Sequence, residues 1–172
     1  MTTNARLVLE DCRCALELLE AETDLRKWRV HWAGALALIR AVGHVLDKVD
    51  AASDPQMKAI TRSAFKEWKG NSEGHQIFRD FIERERNSIL KEYQFNLHPL
   101  DEVDVAVRIK LQSADGGETL YQDHIFPIGD NIYRPLVDSY REGDDARDVY
   151  SEAIDWWTNE LDKIDERISR ST

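Results

Sequence analysis

No apolar run in this chain approaches the roughly 20 residues that a bilayer-spanning helix needs, so no membrane span is expected. Met1-Thr2-Thr3-Asn4 carries no basic region followed by a continuous apolar segment. No secretory signal is read there, and the expected compartment is the cytoplasm. Cysteine is scarce. Cys12 and Cys14 lie two apart on a predicted helix and point to different faces, which excludes a strain-free bridge between them. No Cys-x-x-Cys or Cys/His spacing accompanies them, so both read as reduced structural residues. A glycine-rich phosphate loop, a Gly-x-Ser-x-Gly elbow and a His-Glu-x-x-His helix are all missing. His31, His75, His98 and His124 are isolated and form no ligand set with the carboxylates. Neither a metal nor a cofactor is expected. No internal repeat is present.

What remains is the composition of an ordinary globular domain: 172 residues, 42% hydrophobic and 33% charged. That length predicts a single domain over residues 1–172 with a core that needs no staples. The net charge of −10 is unevenly placed. Residues 1–100 carry 15 basic and 15 acidic side chains, whereas residues 101–172 carry 8 and 18. A polyanionic partner is therefore expected on the N-terminal half, with the C-terminal half repelling it. On charge alone, a solvated acidic surface that aids solubility explains the same numbers.

The periodicity predicts a mainly α protein. Thr2, Thr3 or Asn4 can cap a first helix to about Leu25, with Val8, Cys12, Ala15, Leu16 and Leu19 on its apolar stripe. A second helix, from about Leu25 to Val49, is apolar around much of its circumference and belongs at the centre of a bundle. Ser53-Asp54-Pro55 stops it and starts a shorter helix to about Trp68. A further helix follows the turn Lys69-Gly70-Asn71-Ser72. Past Pro99 the period changes: Val103, Val105, Val107, Ile109 and Leu111 alternate with polar or small residues, which predicts a half-buried strand. Ser113-Ala114-Asp115-Gly116-Gly117 reads as a hairpin turn, with a return strand from Thr119 to Ile128. A bare hairpin is marginal in water, so its apolar face is expected to rest on the helices or on another chain. Asp144 or Asp145 caps a last helix to about Ser169. The expected architecture is an antiparallel helical bundle over residues 1–98, extended over 99–172 by a β-hairpin insertion and a C-terminal helix.

One segment breaks its own pattern. Phe78, Phe81, Ile82, Ile89 and Tyr93 share a helix face, and Arg86 falls inside that stripe. A guanidinium cannot shed its charge, so it demands a partner or a solvated cleft. Arg86 through Tyr93 reads Arg-Asn-x-x-x-Lys-x-Tyr. This resembles the Arg-x(4–6)-His signature of the HEPN superfamily (higher-eukaryote and prokaryote nucleotide-binding domains), often Arg-Asn-x-x-x-His-x-Tyr. Two long antiparallel helices, a shorter one and then a motif helix fit that plan too. The resemblance implies a homodimer with RNA as substrate and metal-independent ribonuclease chemistry of toxin or defence type. Arg86 would hold the scissile phosphate, Asn87 would orient it, and Lys91 and Tyr93 would line the cleft.

The family histidine is Lys91 in this chain. A general base works best with a pKa near ambient pH, and an ordinary lysine is neutral in only about 0.04% of molecules at pH 7. Lys91 can bind phosphate without deprotonation, so RNA or phosphate binding is the firmer expectation and a weak or inactive ribonuclease the sharper one. His44 is the other candidate for proton transfer, with Arg40 on the same helix face as a further RNA or phosphate contact and Asp47 or a backbone carbonyl to orient the imidazole. Three readings compete with this one. Arg86 can form a structural ion pair with Glu10, Glu17 or Asp47. The chain can be a catalytically silent dimeric module whose acidic extension binds a basic protein partner or masks the cleft. It can also bind a small nucleotide through the same basic residues. Trp28, Trp32, Trp156 and Trp157 are read as core or interface aromatics, and Lys66-Glu67-Trp68-Lys69 as a solvated helix end.

Overall fold

The computed structural model describes residues 1–98, 103–112, 119–129, 133–137 and 140–170. It is mainly helical, with one two-stranded antiparallel hairpin. The expected turn at 113–117 and the break at Pro99 lie outside the described residues.

Helix α1 (Thr3–Ala21) and helix α2 (Leu25–Val45) form an antiparallel pair. Asp24 caps α2, its carboxylate accepting from the backbone N–H groups of Arg26 and Lys27. Trp28 Nε1 donates to Leu19 O at 2.9 Å and pins the two helices at their joint. The start of α1 differs from expectation, because none of Thr2, Thr3 or Asn4 caps it with its own side chain. The wide π-helical turn Leu46–Asp50 that ends α2 supplies the cap instead. Asp50 accepts from the backbone N–H of Asn4 (3.0 Å) and of Ala5 (2.8 Å). A carboxylate there satisfies two orphan donors and meets the positive end of the helix dipole. Thr2 is fully buried and turns to Asp165, giving it both its backbone N–H (3.0 Å) and its hydroxyl (2.7 Å).

Helix α3 (Pro55–Lys69) starts as its sequence dictates, with Asp54 as cap and Pro55 in the first turn. The next helical stretch is less regular. A π-helical segment, Ile77–Glu83, leads into α4 (Arg84–Asn87) and then a second π-helical segment, Ser88–Glu92. Tyr93 ends it in the left-handed conformation (φ 54°). Phe78, Phe81, Ile82 and Ile89 are buried as their spacing implies, but Tyr93 is 71% exposed. The wide turns and the left-handed stop carry that position off the apolar stripe.

Helix α5 (Ala146–Arg170) returns across α1 and α3. Asp145 caps it through Oδ1 and the Arg147 N–H at 2.9 Å. Val149, Ala153, Trp157, Leu161 and Ile164 enter the same core as the N-terminal helices, so α5 completes that core. Trp157, Trp68 and Phe78 form its aromatic centre, with Trp68 and Trp157 edge to face at 5.1 Å. Trp68 Nε1 donates to the buried Glu160 at 2.6 Å.

Strands β1 (Val103–Gln112) and β2 (Thr119–Gly129) pair antiparallel, with Val107 opposite His124 and Ile109 opposite Gln122. Val105, Val107, Ile109 and Leu111 are 40–50% exposed. The alternation produces the strand, yet among the described residues its apolar face stays exposed rather than buried against the helices. No helix among the described residues is long and apolar enough to cross a membrane.

Candidate anion-binding groove

On α2, Ala37, Arg40, Ala41 and His44 recur at three- and four-residue spacings and therefore share a face. Arg86 reaches this face from α4. Together they line an open groove of about 300 Å³, with the two alanines leaving room between the polar groups. The Arg86 guanidinium donates to Asn87 Oδ1 at 3.1 Å and takes part in no ion pair among the described residues. Arg40 reaches Glu83 only at 3.5 Å, and the same carboxylate oxygen lies 3.5 Å from Lys69. Both contacts are too long to hold either cation tightly.

Arg40 and His44 also line a second cavity of about 440 Å³ between α2 and α3. Lys58, Arg62 and Lys66 enter it from α3, and Phe65 and Trp68 form apolar wall. Among the described residues Asp47 is the one carboxylate lining it. A hydrogen bond from Lys58 Nζ (2.7 Å), helped by Lys48 (3.0 Å), holds the Asp47 carboxyl below the usual carboxylate range. Arg86, Arg40, Lys48, Lys58, Arg62 and Lys66 thus stand with Asp47 around two cavities that share Arg40 and His44. The chain as a whole carries −10, so this surplus of cations is strongly localised.

The sequence-derived residues divide in two. Arg86, Arg40 and His44 come together on one groove, with Asn87 beside Arg86. Lys91 is exposed in the final wide turn and lines neither cavity. Tyr93 packs edge to face on Phe95 at 5.2 Å, beyond that turn. Asp47 does not orient His44, because Lys58 and Lys48 occupy its carboxylate. Two further cations, Lys58 and Arg62, went unread, and Lys66 was read only as part of a solvated helix end. Lys58, Arg62 and Lys66 recur every four residues, a spacing that places them on one face of α3. Within the motif helix itself the fully buried charge is Glu85, which takes Asn96 Nδ2 at 3.1 and 3.2 Å. Among the described residues, no group of three or more His, Cys, Asp or Glu side chains is placed to hold a metal ion.

No protein-family model, curated protein or solved structure matches this chain.

Proposed function

We propose that the chain binds RNA through the paired α2–α4 and α2–α3 cavities, as a HEPN-like domain. The cation surplus there, in a chain of net charge −10, carries the reading. A concave site in which one sign of charge predominates focuses its field and raises the local concentration of a polyanion. Arg86 and Arg40 take phosphate oxygens, because a guanidinium offers a planar fork of donors. Phe65 lines the neighbouring cavity and supplies an aromatic contact for a base. Among the described residues His44 is the one imidazole lining the groove. In cleavage, His44 rather than Lys91 takes the 2′-hydroxyl proton as that oxygen attacks phosphorus to form a 2′,3′-cyclic phosphate, and the 5′-oxygen leaves as a hydroxyl with a proton from solvent. No metal is required for that step.

The test is binding and cleavage of an end-labelled single-stranded RNA pool without divalent metal. Wild type should bind with an affinity that falls steeply with salt. Arg86→Ala should lose tenfold or more, whereas Lys91→Ala should lose little. Cleavage, where present, should vanish in both Arg86→Ala and His44→Ala. A folded Arg86→Ala that binds RNA like wild type overturns the reading. The uncovered apolar ribbon of β1 and β2 favours a second reading, a dimeric interaction module without chemistry.

A further inference from the structure

The α2–α3 cavity holds a carboxylate where its other charges invite an anion. Asp47 lines it together with Arg40, Lys48, Lys58, Arg62 and Lys66. Both carboxylate oxygens are taken: Oδ1 accepts from Lys58 Nζ at 2.7 Å, and Oδ2 lies 3.0 Å from Lys48 Nζ. The Asp47 and Lys58 side chains are only 31% and 24% exposed, so solvent screens this pair less than an ordinary surface bridge. Arg62 and Lys66, one and two turns further along α3, are exposed and enter no ion pair among the described residues.

The backbone holds Asp47 there independently of the lysines. It sits in the wide turn Leu46–Asp50, which the Ala51 N–H closes onto Leu46 O at 3.0 Å. Asp50, at the end of that turn, is bonded to the start of α1 through the backbone N–H groups of Asn4 and Ala5. Lys58 is tied to the same turn a second time, its Nζ donating to Asp47 O at 2.5 Å. Removing the carboxylate charge therefore leaves the turn and one Lys58 contact in place.

On the reading that RNA occupies these cavities, we propose that Asp47 is a built-in competitor for phosphate and thereby a specificity-determining residue of the site. Carboxylate and phosphate oxygens accept from the same ammonium donors, so a phosphate reaches Lys58 and Lys48 only by displacing Asp47. The competitor is part of the chain, and its effective concentration at the two lysines exceeds that of a free anion. A lone phosphate or a mononucleotide meets it with few other contacts to hold on by. An RNA chain already anchored on Arg86 and Arg40 in the neighbouring groove delivers its next phosphates as an equally local partner. Arg62 and Lys66 take some of those phosphates without displacing anything. Asp47 thus favours an extended polyanion over a single phosphate.

The experiment is calorimetric titration of the full chain at low salt with single-stranded oligouridylate and with uridine 5′-monophosphate. It compares wild type, Asp47→Asn, and Asp47→Asn made in a Lys48→Gln/Lys58→Gln background. Asp47→Asn should keep the helical circular dichroism of wild type and bind the monophosphate at least tenfold more tightly, with a smaller gain for oligouridylate. Without the two lysines the same substitution should gain less than twofold. Asp47→Ser, whose side chain is too short to reach them, should repeat the gain of Asp47→Asn, so the test does not hang on one variant folding. Variants at Asp47 that bind the monophosphate no more tightly than wild type overturn the inference. So does an equal gain without the lysines, which would make the effect one of net charge rather than of displacement. Oligouridylate separates the two proposals. If neither wild type nor Asp47→Asn binds it, the groove reading falls and this inference with it; if both bind it and the monophosphate affinity is unchanged, the inference alone falls.

Discussion

Gly43 on α2 faces the indole of Trp157 so closely that an added Cβ would lie 2.7 Å from Cη2. Glycine inside a helix ordinarily costs about 1 kcal/mol relative to alanine, so a retained glycine there needs a packing reason. Here it is the rigid, fully buried ring of Trp157 on α5. Gly43→Ala should destabilise the protein by about 1–2 kcal/mol, overpacking outweighing the propensity gain. Gly34, on the exposed side of the same helix, has nothing within 4 Å of its Cβ direction. Gly34→Ala should stabilise by about 0.5–1 kcal/mol. For a chain of this size each kcal/mol moves Tm by roughly 2–4 °C. Thermal melts of the two variants should therefore shift in opposite directions, and two shifts of the same sign would contradict the packing at Gly43.

The three α3 cations should act as a unit on phosphate. Lys58 is partly engaged by Asp47, leaving Arg62 and Lys66 as the exposed members of the row. Replacing both with glutamate should weaken RNA binding by at least tenfold and flatten its salt dependence by roughly one to two units of log–log slope. Arg26→Glu, at the far start of α2, should leave the slope unchanged. A slope identical in all three proteins would remove α3 from the interface.

How much of this was legible follows from which forces are local. The helices with strong caps, α2 after Asp24, α3 after Asp54 and α5 after Asp145, begin where short-range chemistry puts them. The start of α1 did not follow local rules, because its capping carboxylate comes from Asp50, far along the chain. The stripe ending at Tyr93 was misplaced for a related reason: straight 3.6-residue counting fails across two π-helical segments. Periodicity identified the hairpin but not its environment, since alternation reports a two-faced strand and not what covers it. At the groove, four-residue spacing linked Arg40 to His44, whereas bringing Arg86 to them required α4 to cross α2. The Lys58, Arg62 and Lys66 row was there to be read by the same spacing rule.

The two cysteines should react very differently. Cys14 is exposed, while Cys12 is fully buried. Burial pushes the Cys12 thiol up to about 11, a hydrogen bond with Tyr150 offsetting part of that rise. In native protein at pH 8, an aromatic disulfide reagent should titrate one thiol quickly. The second should appear only on unfolding. Cys14→Ser should abolish the fast phase, and a fast phase that survives would show that the α1 core opens more readily than its packing implies.

Acid should unfold the protein through identifiable carboxylates. Burial alone would raise the Asp145 carboxyl, but the Arg147 guanidinium (2.7 Å) and the backbone N–H groups of Arg134 and Arg147 hold it below its ordinary value. Asp165 is depressed in the same way: burial opposes, and Thr2 and Arg6 prevail. A group whose folded pKa lies below its unfolded value of about 3.9 stabilises the fold at pH above that value. The contribution fades as pH falls through the folded pKa. Wild type should therefore hold its Tm from pH 7 to about 5 and lose it progressively below about 4. Asp145→Asn removes a charged acceptor from a buried pair and should cost about 2 kcal/mol at pH 7. The gap should narrow as pH falls and wild type protonates at the same site, because the variant has no proton to gain there. A difference in Tm that stays constant from pH 7 to pH 2 would show that Asp145 acts through shape rather than through charge.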